Sequence, residues 1–246
     1  MADKPISEVI RERLKEAHHR FHANDNIADF LKEGELEQLQ DEVQEKFESV
    51  LDSLLIDRET DPNSNETGLR LSKMYLKEIM SGRYLRPPKV TAFPNEKVNP
   101  QGPNGDDHRP AQSHQGMLVV PAELNSVCSH HHQAVSGICY IGIIPGEHVI
   151  GLSKYVRVAQ FLARRGTLQE QLTVDILRAI QKAAKTINVA VVNISTHGCV
   201  TCRGVEAGFA QTSTAELGGL FGLSGDTRKE FYQHVQMLEN KRNTKG

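Results

Sequence analysis

Ala134-Val-Ser-Gly-Ile-Cys-Tyr-Ile-Gly-Ile-Ile-Pro-Gly146 is the stretch whose reading decides the fold. It is rich in β-branched residues and closes on a Pro-Gly turn signal, the pattern of a strand. Residues 117–124 (MLVVPAEL) and 188–196 (NVAVVNIST) share that texture. Between the strands lie two helical stretches, 152–165 and 168–185. The second carries Leu168, Leu172, Ile176, Ile180 and Ala184 on one stripe. A last helix is expected near Thr227, where Thr-Arg-Lys-Glu230 has the spacing of a capping box.

Upstream, residues 7–56 read as helix. Leu36, Leu39, Val43, Phe47, Val50, Leu51, Leu54 and Leu55 recur at three- and four-residue steps. His18, His19 and His22 fall in a highly charged part of this region and are expected to face solvent. DRETDPNSNE at 57–66 breaks the pattern, and a second helix runs from about Thr67 to Met80, with Ser81-Gly82 as its expected cap. Residues 86–115 hold six of the ten prolines and read as a long loop without ladder or helix. The expected organisation is a helical region over 1–85, a Pro/Gly-rich loop over 86–115 and a strand-bearing domain over 116–246. Helices followed by strands around a helical pair favour an α+β fold over a doubly wound sheet.

A formal net charge of −2 gives no basic field for nucleic acid, and no apolar stretch reaches the roughly 20 residues that span a bilayer. The N-terminal sequence is charged and helical in pattern, without an apolar signal-peptide core. Four cysteines beside several histidines read as metal or catalytic chemistry rather than a disulfide framework. The expected compartment is the cytoplasm.

Three of those cysteines fall in two short segments, Cys128-Ser-His-His-His132 and His197-Gly-Cys-Val-Thr-Cys202. A thiolate and an imidazole close in sequence, joined by a distant thiolate, can give zinc three ligands and leave a fourth position open, as in catalytic sites. Cys199 and Cys202 are equally eligible on spacing, and as a Cys-x-x-Cys they also fit half a structural site or a redox pair. Ser153, Lys154 and Arg157 stand at the start of a helix, a natural anion site, although a solvated basic face has the same composition. Thr167-Leu-Gln-Glu170 fits a capping box, and its carboxylate fits the N–H edge of a guanine equally well.

Together these segments closely resemble the GTP cyclohydrolase I family, over roughly residues 40–236. The carrying motifs, in order, are CSHHH, YIGIIPGEHVIGLSKYVRVAQFLARR, LQEQLT, NVAVVNISTHGCVTCRG and TSTAELGGLFG. The resemblance implies a tunnelling fold, an antiparallel sheet with paired helices, preceded by N-terminal helices. It also implies a homo-oligomer, typically a decamer, with active sites between subunits. The implied zinc ligands are Cys128, His131 and Cys199, and the implied catalytic residues are His130, His197 and Ser153. Gln169 and Glu170 match the pair that reads guanine. Lys154, Arg157 and Arg203 match positions around the ribose and triphosphate, and Arg70 and Lys73 resemble triphosphate-binding residues supplied by a neighbouring subunit.

The implied reaction is zinc-dependent hydrolysis of GTP to formate and 7,8-dihydroneopterin triphosphate, from which folate, biopterin or 7-deazaguanine synthesis proceeds. Ser129 departs from the family's usual glutamate, His132 and Cys202 from apolar or small residues, and Leu69 from a histidine. Two other readings remain beside it. One is a tunnelling-fold hydrolase of another purine nucleotide; the other is a non-catalytic, zinc-stabilised oligomer.

Overall fold

The computed structural model describes residues 4–95 and 116–244, so residues 96–115 of the expected loop lie outside the described residues. In chain order the elements are α1 (Ile6–Glu16), α2 (Glu35–Ser53), α3 (Thr67–Lys73), α4 (Ser81–Tyr84), β1 (Ala92–Pro94), β2 (Leu118–Cys128), β3 (Ala134–Ile143) and β4 (His148–Ile150). They continue as α5 (Leu152–Ala163), β5 (Gly166–Thr167), α6 (Gln169–Ala184), β6 (Val189–His197), α7 (Gly198–Thr201), β7 (Gln211–Leu217), α8 (Leu220–Leu223) and α9 (Gly225–Asn243). The architecture is α+β, in two units.

The first unit comprises the chain up to Pro87 with Asn125–His132 and Ala163–Thr167. Its core is helical: Ile10, Leu14, Ile27, Leu39 and Leu76 are buried together, with Leu36, Val43 and Tyr84 packed against them. The helix expected over 7–56 is interrupted from 17 to 34. His18 takes a positive φ of 51°, and Gly34 takes one of 80°, neither of which continues a right-handed helix. Between them, side chains capture backbone groups that a helix would use. Asp25 accepts from the His22 N–H at 2.7 Å, Asn26 accepts from Ala28 N–H at 3.1 Å, and Asn26 donates to the Gly82 and Leu85 carbonyls. His19 is half-buried, its ring 4.5 Å from that of Phe30, so only His18 and His22 of the three histidines are exposed.

The second expected helix also differs. After α3 the chain widens into a π-helix over Met74–Ile79 and restarts as α4 at Ser81. Ser81 and Gly82 are therefore buried helical residues rather than a cap, and the Gly82 backbone pairs with the Arg164 carbonyl and the Arg165 side chain. In the same unit the last residues of β2 pair in parallel with β5, Val127 opposite Gly166 and Cys128 opposite Thr167.

The interrupted helices are clamped by a fork-to-fork ion pair. Arg13 donates to both Glu35 carboxylate oxygens at 2.7 Å, and the Lys32 N–H adds a third bond. The guanidinium and these bonds pull the Glu35 carboxyl down from its usual range to about 2, although burial opposes them.

The second unit comprises Pro88–Leu124, Gln133–Leu162 and the chain from Leu168. Its strands run in the order β2-β3-β6-β7. β3 and β6 are antiparallel from Val135 opposite His197 to Ile143 opposite Val189, and β7 pairs antiparallel with the other edge of β6. Side chains alternate across such a sheet. Ile138, Tyr140, Ala190 and Val192 face a cluster completed by Phe221 of α8 and Phe231 and Val235 of α9. Gly142 lies beneath that cluster, where an added Cβ would come within 2.6 Å of the Phe231 ring.

Alternation sends Cys139, Ile141, Val189 and Val191 to the opposite face. There α6 packs on β6 and β7 through its fully buried stripe of Leu172, Ile176, Ile180 and Ala184. Tyr140, buried beneath α9, donates its hydroxyl to Glu239; burial first, and that carboxylate second, push the phenol well above its ordinary range.

Three details of this unit depart from sequence expectation. Ala92–Pro94 pairs with His148–Ile150, so the Pro-rich stretch does carry a short ladder; its proline stands at the strand's end, where a missing N–H is tolerated. β7 was not anticipated, because none of its residues is fully buried and its polar residues hide the alternation. The last helix begins at Gly225, capped by Ser224, which accepts from the Thr227 N–H at 3.2 Å; Thr227 is inside the helix rather than its cap. Among the described residues no helix is long and apolar enough to cross a membrane.

Arg13→Met should lower stability at neutral pH by about 2 kcal/mol, because it strands a buried carboxylate. A carboxyl whose folded pKa is depressed contributes stability above its unfolded value, near 4.5, and loses it as pH falls toward about 2. Urea unfolding of wild type and variant should therefore differ most above pH 5 and converge toward pH 2.

Candidate active site

Each half of the expected site sits at the end of a strand. In the first unit β2 ends on Cys128, which is buried, and the chain then turns so that the His132 N–H donates to the Cys128 carbonyl at 2.9 Å. The turn holds His132 in the left-handed region at φ 52°. Ser129 is half-buried, whereas His130, His131 and His132 are exposed. The rings of His130 and His131 meet edge-on at 6.4 Å, and Tyr75 lies against His132 at 5.6 Å. Arg70 and Lys73, on α3 of this unit, are exposed. Arg70 pairs with Glu66 at 3.0 Å in an exposed i,i+4 bridge. Such a bridge is worth about 0.3–0.5 kcal/mol, so it scarcely competes with a phosphate.

In the second unit β6 ends on His197, and α7 follows at once, carrying Cys199 on its single turn. The Thr201 hydroxyl closes that turn on the His197 carbonyl at 3.1 Å, and Cys202 N–H on Gly198 at 3.0 Å. Cys199 is half-buried and Cys202 exposed; no disulfide joins any of the four cysteines. The Cys-x-x-Cys spacing thus spans one helical turn after a strand.

Asn193, Ser195 and His197 fall on one face of β6 by alternation, the same face that holds Val189 and Val191 further back. That face is apolar under the middle of α6 and polar at its N-terminus. There Gln169 is buried at 3% exposure and donates to the Asn193 and Thr212 carbonyls, both at 2.9 Å. Its Oε1 lies 2.6 Å from His197 Nε2. Thr173 and Thr214 share a 2.7 Å hydrogen bond behind it, and Ser195 donates to the Asn193 side chain.

Residue 168 is the N-cap of α6 and makes no side-chain cap bond, so the capping-box role for Glu170 does not arise. Glu170 stands exposed on the first turn of α6, next to the residue that grips His197. On the first turns of α5, Ser153 and Arg157 are exposed and Lys154 half-buried; Arg203 is exposed just beyond α7.

Cys128 and His131 therefore belong to one unit, and Cys199 and His197 to the other. Among the described residues no group of three or more His, Cys, Asp or Glu side chains is gathered as a metal site. The polar set Asn193, Ser195, Thr173 and Thr214 was missed from sequence. Its signal was available in NVAVVNIST, where Asn193, Ser195 and His197 recur at period two in an otherwise apolar strand.

Fold and strand ends together describe an α+β protein in which the ends of β2 and of β6 each lead into histidine and cysteine residues. A family model described as GTP cyclohydrolase I matches residues 43–236. GTP cyclohydrolase 1 of Aeromonas salmonicida (strain A449) is 37% identical over 197 residues, covering 79% of this chain and 83% of that protein. The protein of the same name from Actinobacillus pleuropneumoniae serotype 5b (strain L20) is 40% identical over 192 residues, 77% of this chain and 81% of its own length. That of Enterobacter sp. (strain 638) is 39% identical over 178 residues, 72% and 74%. The chain belongs to the GTP cyclohydrolase I family of enzymes.

Gly137 lies opposite Ser195 in the ladder, where an added Cβ would fall 2.1 Å from the Ile194 carbonyl oxygen and 2.6 Å from Ser195 Cα. Backbone cannot swing aside as a side-chain tip can. Gly137→Ala should cost about 2 kcal/mol or more in chemical unfolding. It should also lower turnover, because it displaces the strand end that carries His197.

Proposed function

We propose that this protein hydrolyses GTP to formate and 7,8-dihydroneopterin triphosphate with zinc bound by Cys128, His131 and Cys199. The observation that supports the reading is the family match over 43–236, a span in which both candidate histidines, all three candidate ligands and Glu170 are present. Two thiols and an imidazole are a donor set suited to zinc and leave one position open. When bound, zinc supplies Lewis acidity that activates water at neutral pH.

This chain's own residues account for the rest. Glu170, exposed and released from capping, accepts the paired N–H groups of guanine. Because its neighbour Gln169 touches His197, a base held there lies beside that imidazole. His197 delivers a proton to N7, which makes C8 more electrophilic toward water. A second water releases C8 as formate. His130 and Ser153 assist ribose opening, and ring closure to the pterin expels one water, so a single water is consumed overall. Lys154, Arg157 and Arg203 hold the triphosphate by charge-assisted hydrogen bonds. Arg70 and Lys73 reach it from a neighbouring subunit in a tunnelling-fold homodecamer. The exposed Val50, Leu54 and Leu55 at the end of α2 support such an assembly, since apolar side chains in a row favour cover by another chain. The product feeds pterin, folate or 7-deazaguanine synthesis, a cytoplasmic role.

A second reading rests on Ser129, half-buried directly after Cys128 where the family usually has glutamate. It assigns the same chemistry to another purine nucleotide.

Zinc-loaded protein given GTP should release formate and a pterin that fluoresces after oxidation. His197→Ala should reduce turnover by about 10²–10⁴-fold. Turnover of inosine triphosphate with none of GTP would favour the second reading, and none with any purine triphosphate would sink both. Metal analysis should find zinc lost from Cys128→Ser, His131→Ala and Cys199→Ser and retained in Cys202→Ser. Loss from the last instead of Cys199→Ser would reverse the ligand assignment.

A further inference from the structure

We infer that Gln169 is a positioning residue that fixes the ring and the tautomer of His197, and that it does not read the guanine base. The inference rests on the reading of His197 as a proton donor to the purine, and it reassigns one residue of that site.

Gln169 has little left to offer a ligand. The side chain is 3% exposed. Its amide nitrogen carries two N–H groups, and two backbone carbonyls, Asn193 and Thr212, lie at 2.9 Å, with the Thr214 hydroxyl at 3.2 Å. Carbonyl oxygens only accept, so the nitrogen has to face them. The amide cannot be turned over without setting Oε1 against two like dipoles, and Oε1 is thereby aimed at His197 Nε2, 2.6 Å away.

An amide oxygen also only accepts. His197 Nε2 must then carry the hydrogen, whichever way the rest of the ring is engaged. Nδ1 is left as the other ring nitrogen; among the described residues it has no partner, and it is the atom that takes up the proton passed to the purine while Nε2 keeps its own hydrogen. The tautomer is thus set by the sheet itself, through two carbonyls, one amide and one imidazole.

The frame behind Gln169 is rigid for the same reason. The Thr173 hydroxyl donates to the Gln169 carbonyl at 2.8 Å and meets the Thr214 hydroxyl at 2.7 Å. The first turn of α6, β6 and β7 therefore converge on one buried amide. Glutamate at 169 would present oxygen to two carbonyls. Methionine would fill the space and offer neither donor nor oxygen acceptor.

The test uses the full chain with zinc bound. Gln169→Met should lower kcat with GTP by about 10²-fold and leave KM within about threefold, because a group acting through His197 in the transition state alone changes kcat. A rise in KM of tenfold or more with kcat retained is the signature of a lost base contact and would overturn the inference.

Solid-state ¹⁵N spectra of histidine-labelled protein give an independent readout. The His197 signals are assigned by their absence from His197→Ala. Wild type should show the Nε2–H tautomer, and Gln169→Met should show a mixture or the other form. An Nδ1–H tautomer in wild type sinks the inference even if Gln169→Met fails to fold. Since that spectrum needs no turnover, a protein inactive on GTP would refute the proposed function while leaving the tautomer to be judged by itself.

Discussion

The register of β3 on β6 is the constraint on which the second unit depends. Nine consecutive pairs, from Val135 opposite His197 to Ile143 opposite Val189, fix which β6 side chains face α6. A slip of one residue would turn Asn193, Ser195 and His197 toward the Phe221–Phe231 cluster and bring Val192 and Ile194 under the N-terminus of α6. Gly137 pins that register where the strands approach too closely for any side chain. The position of His197 is thus set by backbone hydrogen bonds well inside the sheet, and of Asn193, Ser195 and His197 only the last is half-open to solvent.

One face of β6 does two jobs along its length. Val189 and Val191 bury apolar surface against α6, while Asn193 and Ser195 hold a hydrogen-bonded group at its far end. Buried polar networks stabilise only when every member is satisfied, and here the carbonyls, hydroxyls and the Gln169 amide form a matched set. A histidine joined to such a set loses rotational freedom before any ligand arrives.

Much of this was legible in the sequence where burial is complete. The strands at 134–146 and 188–196, and the α6 stripe, follow from apolar pattern alone, because both faces of that sheet are covered. Legibility failed where local hydrogen bonding overrode the pattern. Residues 7–56 read as one helix, yet Asp25, Asn26 and Gly34 break it, and the apolar stripe that begins at Leu36 belongs to a separate helix. β7 escaped because Thr212, Thr214 and Glu216 obscure its alternation. For the site, spacing marks thiols and imidazoles as candidates, and the order of five motifs implies roles for them. Neither could distinguish a glutamine that binds from one that braces, since that depends on which carbonyls surround it.

The bond from Tyr140 to Glu239 bears on where this protein can be trimmed. The family match stops at 236, yet the hydroxyl of a tyrosine with 1% exposure ends on a carboxylate three residues later, which Arg242 also holds at 2.9 Å. Cutting the chain at the boundary of homology would leave a phenol in the sheet's interior without its acceptor. The physical edge of the folded unit lies at least one helical turn past the edge of its family likeness.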